Sequence, residues 1–592
     1  MAVVVSFALV RKARQVKNMS CKDQNAKMGS KGKALRLVTL AALLLAASFS
    51  FADQKSASHS RISPQLSRLS NALQHGSLKN QNIRVIVQFT QNPTKHHIQK
   101  MANLGGVHLR GLGLIRGGAF SLPLSAVANL ANDSEIFHVS LDITIGGTSA
   151  DAFEQTVGGD IAHNLGWDGS GISVAVIDSG ITDHPDLHDP VTGASRVIYS
   201  ESFVPNTDTN DGYGHGTHVA GIIGGNGTLS AGAIVGVAPR VNLINLKVLA
   251  SDGSGSDSYA IAAIQRAIAL KDVYHIRILN LSLGRPVSES FTTDPFCQAV
   301  EAAWKAGLVV VTAAANYGRD NEFGTHGYGL IGVPGADPYV ITVGAMNTVG
   351  TPSPADDMLA TYSSKGPTMI DHVVKPDLVA PGNRIESLLS SGSTIQQELP
   401  SNVVNPAEYG QPLAQPGYIA LCGTSMATPV VAGAAALMLQ QDPTLTPDLI
   451  KARLMKTSNK TFPTQSVIVD PITNETFTEY YDIFAVGAGY LNIPAALANT
   501  DAITGSAISP VAVINADGTV SVQTDPGTVF ASSVVWGSSV VWGSSVLNGS
   551  SVVWGSSVVW GSSTVAANSV VWGSSVVWGS SVVWGASVNA QE

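Results

Sequence analysis

Five short apolar runs recur through the middle of the chain and predict buried β-strands. They are nearly continuous rather than alternating, which is typical of parallel strands covered on both faces. Stretches with helical spacing lie between them. This alternation predicts an α/β fold, a layered domain whose mostly parallel central sheet is flanked by helices. The predicted strands span 172–178, 242–249, 276–283, 308–315 and 339–345, and the predicted helices span 257–270, 294–307 and 429–441.

A shorter pattern of the same kind lies upstream. NIRVIVQF reads as a strand, HHIQKMANLGG as a helix, and a second helix precedes the strand-like IFHVSLD. The pattern predicts a small α+β domain at 83–145. A Gly-rich, polar junction at 143–157 follows it, and such a segment is expected to be exposed and open to cleavage.

The C-terminal tail from 531 to 588 repeats the hexapeptide VVWGSS. Because six is even, an extended chain would carry all the Trp side chains on one face, and a solenoid would stack them in a ladder. A β-prone low-complexity tail and a short β-solenoid or surface-attachment module both remain open. The Trp residues lie at 536, 542, 554, 560, 572, 578 and 584.

The N-terminus resembles a secretory signal. An apolar run at 37–52 follows three basic residues and ends in small ones, which predicts a signal peptide region at 1–52 cleaved after Ala52. Met28 would begin a conventional signal peptide by itself. We therefore expect a secreted or cell-surface protein with no stable membrane span after cleavage, the alternative being an uncut N-terminal anchor. Residues 53–82 are interpreted as a linker.

Length and charge narrow the possible functions. A chain of 592 residues is long enough for several domains with one large core. The chain has 34 Lys and Arg and 42 Asp and Glu, which is a mild excess of negative charge. The basic residues form no long run, so nucleic acid is not a predicted partner. With three cysteines, a disulfide framework is not expected to hold the fold.

Three Gly-rich motifs carry an acid, an imidazole and a hydroxyl. They are VAVIDSG around Asp178, DGYGHGTHVAG around His215 and LCGTSMATPVVAG around Ser425. A serine hydroxyl is a poor nucleophile at neutral pH, so it needs a base such as His and a carboxylate that orients the base. These residue types therefore indicate a nucleophilic hydrolase.

With NLSLG at 280–284, KPDLVAPG at 375–382 and GAGYLN at 487–492, the chain resembles the subtilisin-like serine peptidases, the subtilases, from about 158 to 498. The resemblance implies a serine endopeptidase with an Asp178, His215 and Ser425 triad that hydrolyses protein or peptide substrates through an acyl-enzyme. We expect broad specificity. A narrower processing protease is the enzymatic alternative, and sedolisins are disfavoured because His215 and Asn316 stand where those relatives carry acids.

The same resemblance implies roles for five further residues. Asn316 is expected to supply an oxyanion donor, and Ser282, Leu283 and Gly284 are expected to bind substrate backbone. Ala315 is also expected at the substrate and stands where most relatives carry Gly, so its methyl group is expected either to narrow the primary side-chain pocket or to shift the loop. Arg285, directly after the 282–284 segment, could favour acidic substrate side chains nearby, but the preferred interpretation is a solvated surface residue.

The family pattern also implies domain roles. Residues 83–145 would be an inhibitory propeptide, an intramolecular inhibitor, with an ordinary accessory domain as the alternative. The catalytic domain would span 146–500, with a subtilisin-like fold, and a linker would span 501–530. A rival function is an inactive subtilase scaffold that serves adhesion through the Trp tail.

No cofactor is required for the predicted catalysis. The resemblance allows a structural calcium ion, and DGSGSD at 252–257 is rich in oxygen ligands. Two aspartates among glycines are common by chance, so no metal residue is assigned. The pair His215 and His218 lacks the third protein ligand that a zinc site needs, and His218 is expected to be structural.

Overall fold

The first element of the fold is a small antiparallel sheet. The computed structural model describes residues 61–63, 66, 82–142, 153–321, 325–463, 465–470, 473–502, 505–514 and 520–523 and four short strands further on. The strands of this small sheet run in the order β2-β3-β1-β4, and two helices cover the sheet. Alternate residues of β1 are buried, as the pattern predicts for a sheet with one covered face. The elements are β1 (Asn82–Phe89), α1 (Lys95–Asn103), β2 (Val107–Leu112), β3 (Gly117–Pro123), α2 (Leu124–Ala131) and β4 (Ile136–Leu141).

The central sheet has eight strands, and all of its pairings except one are parallel. Seven strands follow the order β11-β10-β9-β8-β5-β7-β6, and β12 pairs with β10. The layered, mostly parallel α/β fold predicted from the apolar runs is confirmed. The strands are β5 (Ser173–Asp178), β6 (Val197–Ser202), β7 (Asn242–Lys247), β8 (Ile276–Leu281), β9 (Val309–Ala313), β10 (Ile341–Asn347), β11 (Met358–Leu359) and β12 (Leu378–Pro381).

Helices and two-stranded ribbons surround this sheet. The helices are α3 (Phe153–Thr156), α4 (Gly159–Asn164), α5 (His215–Gly224), α6 (Asp257–Leu270), α7 (Pro295–Lys305), α8 (Thr394–Glu398), α9 (Thr424–Gln441), α10 (Pro447–Thr457), α11 (Ile483–Val486) and α12 (Ile493–Ala498). The ribbons pair β13 (Ile385–Leu388) with β14 (Tyr418–Leu421), β15 (Gln465–Val469) with β16 (Thr476–Tyr480), and β17 (Val511–Ile514) with β18 (Val520–Gln523). No helix in these ranges is long and apolar enough to cross a membrane.

Helix α9 begins five residues earlier than the sequence predicts. The expected start was Pro429, a residue tolerated in a first turn, but Pro429 lies inside the helix and Ser425 is its second residue. A proline inside a helix has no N–H to offer the carbonyl four residues before it, here that of Ser425. The Ser282 hydroxyl donates to this carbonyl oxygen at 2.8 Å instead, and so satisfies it.

Two segments predicted as linkers make ordered contacts. In the first, Ile62 bridges Val139 of β4 in parallel. In the second, Val511 bridges Val373, and the Ser509 hydroxyl donates to Asp377 Oδ1 at 2.6 Å. The segment beyond residue 500 therefore packs on the domain that carries the central sheet.

The predicted signal region at 1–52 lies outside the described residues. The same holds for most of the repeat tail, of which only β19 (Val540–Trp542), β20 (Val558–Trp560), β21 (Val570–Trp572) and β22 (Val576–Trp578) are described. Strand β19 pairs with β20 in parallel, and β21 pairs with β22 antiparallel.

Three charged side chains are fully buried where α10 meets the end of the central sheet. Lys375 Nζ donates to Asp377 Oδ2 at 2.7 Å, and Lys451 Nζ lies 3.3 Å from Oδ1. Lys451 also donates to the carbonyl oxygens of Pro338 and Val340, at 2.9 and 3.0 Å. Burial opposes ionisation of Asp377, but the two lysine charges hold its pKa below the usual value.

Replacing Lys451 should therefore destabilise the fold strongly. In Lys451→Met, the buried carboxylate would keep only one of its two lysine charges, and two carbonyl groups would each lose one donor, so we expect a loss of about 3–5 kcal/mol in the free energy of unfolding. Denaturant titration in a Ser425→Ala background, which lacks the expected nucleophile and hence self-digestion, measures this loss.

The matched control is Lys456→Met on the same helix. Lys456 pairs with Asp501 at the partly exposed end of α10, and its loss should cost less than about 1 kcal/mol. Equal destabilisation by the two substitutions would contradict the importance of the buried network.

Candidate active site

The carboxyl edge of the central sheet collects the three motifs. Asp178 is the last residue of β5 and is 1% exposed. His215, the first residue of α5, donates from Nδ1 to Asp178 Oδ1 at 2.8 Å, and the Ser179 amide donates to the same oxygen at 2.7 Å. A buried carboxylate is costly without such partners. The bond also fixes Nδ1 as the protonated ring nitrogen, which leaves Nε2 as the acceptor of neutral His215.

A second buried carboxylate, Asp211, organises the turn that leads into α5. It accepts hydrogen bonds from the amides of Gly214 and Thr217 at 2.6 and 2.7 Å, and from the Ser179 hydroxyl at 2.7 Å. Burial raises the pKa of Asp211, and these three bonds oppose the rise. Since Ser179 adjoins Asp178, Asp211 links the end of β5 to the start of the helix that carries His215.

Sequence reasoning missed Asp211. The available signal was an acid four residues before His215, in the turn sequence DGYGH. Such an acid looks like an ordinary surface turn residue, and its burial follows only from the packing of the turn against β5.

His218 is structural, as the sequence predicts. It lies one turn after His215 and is fully buried, with Nε2 at 3.0 Å from the carbonyl oxygens of both Ile385 and Ile419. Burial and the neighbouring His215 lower the pKa of His218 to about 3. The ring is therefore neutral and donates its Nε2 proton between the two carbonyls.

Ser425 and Ser282 are joined by two reciprocal bonds. Ser425 Oγ donates to the Ser282 carbonyl at 3.0 Å, and Ser282 Oγ donates to the Ser425 carbonyl at 2.8 Å. Asn280 in turn donates from Nδ2 to Ser282 Oγ at 3.0 Å. The segment expected to bind substrate is thus held directly against the residue expected to attack it.

Asn316 follows β9 and is fixed by the same turn. Its Oδ1 accepts from the Thr424 amide at 2.9 Å and from the Thr424 hydroxyl at 3.1 Å. Since the amide oxygen faces Thr424, the Nδ2 donor faces the other way. A Cβ added at Gly423 would lie 3.3 Å from Nδ2, so the donor is beside the glycine that precedes the Ser425 turn.

Ala315 adopts a backbone conformation that favours glycine. Its φ is 88°, in the region that L side chains rarely adopt. The Ser364 amide donates to its carbonyl at 3.0 Å, and an added Cβ at Gly332 would lie 3.1 Å from that of Ala315. The alanine methyl therefore points toward the 332–335 segment.

The three residues expected to bind substrate backbone, 282–284, differ in exposure. Ser282 is buried, Leu283 is half-buried and Gly284 is exposed. A Cβ at Gly284 would lie 2.5 Å from the Val333 carbonyl oxygen, so only glycine fits this close approach. The 282–284 segment and the 332–335 segment are therefore in direct contact.

The oxygen-rich loop at 252–257 bonds within the protein. Asp252 Oδ1 accepts from the amide and hydroxyl of Ser254 at 2.9 and 2.6 Å, and Asp257 pairs with Arg285. Across the part of the chain that the structure describes, no group of three or more His, Cys, Asp or Glu side chains could hold a metal ion. Structural calcium stays a prediction without assigned residues.

Comparison with known proteins agrees with this geometry. The model of the Subtilase family matches residues 169–477. The chain is 39% identical over 297 residues to the serine protease AprX of Bacillus subtilis (strain 168), a match that covers 49% of this chain and 62% of AprX. It is 34% identical over 363 residues to subtilisin E of the same strain, covering 60% of this chain and 78% of subtilisin E. A subtilisin of Bacillus pumilus is 37% identical over 298 residues, covering 50% of this chain and 86% of that protein.

The family match spans the whole central sheet, from β5 to β12, and the fold is consistent with that of the subtilisins. These comparisons do not favour the alternative of an inactive scaffold. The chain therefore belongs to the subtilase family, as a serine endopeptidase.

Proposed function

We propose that the protein is a secreted, broadly specific endopeptidase in which Asp178, His215 and Ser425 form a catalytic triad. The observation that carries the proposal is the 2.8 Å bond between Asp178 and His215, at the start of a helix that packs against α9. Both helices begin at the carboxyl edge of the sheet, which is the edge where α/β folds bind ligands.

The reaction would begin with proton transfer to His215. In the free protein, Ser425 Oγ donates to the Ser282 carbonyl, so this hydrogen must turn to Nε2 of His215 as Oγ attacks the peptide carbonyl carbon. Asp178 then stabilises the imidazolium through Nδ1. His215 returns the proton to the leaving amine, and a water molecule repeats the sequence on the acyl-enzyme.

Two donors would stabilise the oxyanion. Asn316 Nδ2 is available because Oδ1 is occupied by Thr424. The second donor is the Ser425 amide in the first turn of α9, where helix N–H groups have no intrahelical partner and the helix dipole favours negative charge. Preorganised donors of this kind stabilise charge that develops only in the transition state.

Substrate would bind as an added strand along Ser282, Leu283 and Gly284. Backbone pairing of this kind gives affinity without reading side chains, which fits broad specificity toward unfolded or extended protein. Ala315 would line the pocket for the residue before the cleaved bond. Its methyl group supports a pocket narrower than one with glycine at this position.

Secretion and zymogen maturation are further parts of the proposal. The apolar segment at 37–52 supports export, and the four-stranded unit at 82–141 supports a propeptide that inhibits the enzyme until the 143–157 junction is cut. Sequencing the N-termini of the exported protein tests both parts. An N-terminus that still contains residues 37–52 would favour the uncut anchor, and retention of 83–145 in active enzyme would favour an accessory domain.

Replacing the nucleophile should abolish turnover. In Ser425→Ala, hydrolysis of an unfolded protein should fall by about 10⁶, and the junction should stay uncut. Phenylmethylsulfonyl fluoride should label the wild type but not the variant. Equal cleavage by both proteins would overturn the triad. The magnitude is that known for subtilisins and is carried over by family membership.

Removing the oxyanion donor should affect kcat rather than KM. In Asn316→Ala, kcat should fall about 10²–10³-fold with KM little changed, because the donor acts only as charge develops. This range too is one known for a subtilisin. Asn321→Ala is the control, since Asn321 lies in the same loop but its amide oxygen accepts from the His326 amide and not from Thr424. Equal losses would mean that Asn316 acts only through loop stability.

Replacing Ala315 with glycine should widen the pocket and remove an unfavourable φ. In Ala315→Gly, kcat/KM for a peptide with Phe before the cleaved bond should rise about tenfold relative to the matched Ala peptide. The Ala peptide serves as the internal control. An unchanged ratio would show that this methyl group does not limit the pocket.

A further inference from the structure

Arg285 directly follows the predicted substrate segment, residues 282–284, and joins it to the 332–335 segment, which would form the opposite wall of the proposed pocket. Its amide donates to the Val333 carbonyl at 3.0 Å, and the Val333 amide donates back to the Arg285 carbonyl at 2.8 Å. Val333 belongs to the 332–335 segment, which Gly284 also approaches closely. The backbone at residue 285 is therefore the point where the two segments are tied together.

The side chain of Arg285 anchors this point to two helices. Nε donates to Asp257 Oδ2 at 2.8 Å, and Nη2 donates to Asp294 Oδ2 at 2.7 Å. Asp257 is the first residue of α6. Asp294 is the buried N-cap of α7, and its other oxygen accepts from the amides of Phe296 and Cys297. One guanidinium thus spans the amino ends of both helices.

This arrangement differs from the expected surface arginine. The side chain is 28% exposed, and its third nitrogen, Nη1, lies within 3.5 Å of the Pro286 carbonyl and the Ser288 hydroxyl. Every guanidinium nitrogen therefore has a partner within the protein. An acidic substrate side chain would have to displace an existing carboxylate.

The 332–335 segment is also bonded to the loop that carries Asn316. The Gly332 amide donates to the Ala314 carbonyl at 3.1 Å, and Gly332 faces the Ala315 methyl group. The 282–284, 314–316 and 332–335 segments thus form one connected series, with the Ser425 turn bonded to both Ser282 and Asn316. Arg285 anchors the 282–284 segment, which would bind substrate backbone, to α6 and α7.

We propose that Arg285 determines specificity as a positioning residue, because its two ion pairs hold the predicted substrate segment, and through the backbone pair with Val333 also the 332–335 segment, in a fixed position on α6 and α7. The inference rests on the proposed function, since it concerns the pocket for the residue before the cleaved bond. Close-packed walls fixed on rigid elements discriminate side-chain size, whereas walls that can separate accept larger groups.

The test is Arg285→Met, which keeps most of the stem and removes both ion pairs. A series of peptides that differ only in Ala, Leu or Phe before the cleaved bond gives kcat/KM for each. The ratio of Phe to Ala should rise about tenfold, the size of effect that a change in pocket fit produces.

Two conservative variants separate positioning from folding. Arg285→Lys keeps the charge but reaches one carboxylate, so its ratio should lie between those of the wild type and Arg285→Met. Asp257→Asn leaves the pair with Asp294 intact and should give a smaller shift in the same direction, even if Arg285→Met folds poorly. Arg266→Met, on α6, removes a surface pair with Glu201 and should leave the ratio unchanged.

Binding to Ser425→Ala protein, after its 143–157 junction has been cut by an added protease that is then removed, measures the pocket without catalysis. Dissociation constants of the same peptides should show the same change in ratio when Arg285→Met is added. An unchanged ratio, or an equal loss for all peptides with a lower melting temperature, would overturn the role of Arg285. Failure of the proposed function would look different, since the wild type would hydrolyse none of the peptides.

Discussion

The carboxylate of Asp178 is the constraint from which the rest of the site follows. It ends a strand buried on both faces, where an ionised group is stable only with close donors. The imidazole of His215 and the Ser179 amide supply them, so α5 has to begin at this point. The second buried carboxylate, Asp211, satisfies the amides of the turn that makes this start possible.

The other half of the site depends on unsatisfied groups at the start of α9. Pro429 leaves the Ser425 carbonyl without a helical donor, and the Ser282 hydroxyl donates to that carbonyl instead. The Thr424 amide, in the first turn, has no partner within the helix and donates to Asn316 Oδ1. Hydrogen bonds at the helix end thus bring the predicted substrate segment and the expected oxyanion donor to one serine.

Ion pairs outside the site appear where packed segments need fixed positions. Lys375, Lys451 and Asp377 join α10 to the end of the sheet, and Arg285 joins a loop to the starts of two helices. Buried or half-buried pairs of this kind are costly to break because each leaves a charge without its partner. They therefore specify relative positions of elements more than they add to net stability.

The sequence by itself determined the layered fold, the order of strands and helices, and the three motifs, because burial on both faces and Gly-rich turns leave strong local patterns. Through the family resemblance, it also singled out Asn316 as a predicted oxyanion donor and 282–284 as a predicted substrate segment. Only the tertiary structure decided that Asp211 is buried, that α9 begins before Pro429, and that Arg285 is bound between two helices. Each of these depends on partners far away in the chain, such as Ser179, Ser282 and Asp294. A local pattern carries no information about such partners, since hydrogen bonds and ion pairs between distant segments exist only once the fold has brought them together.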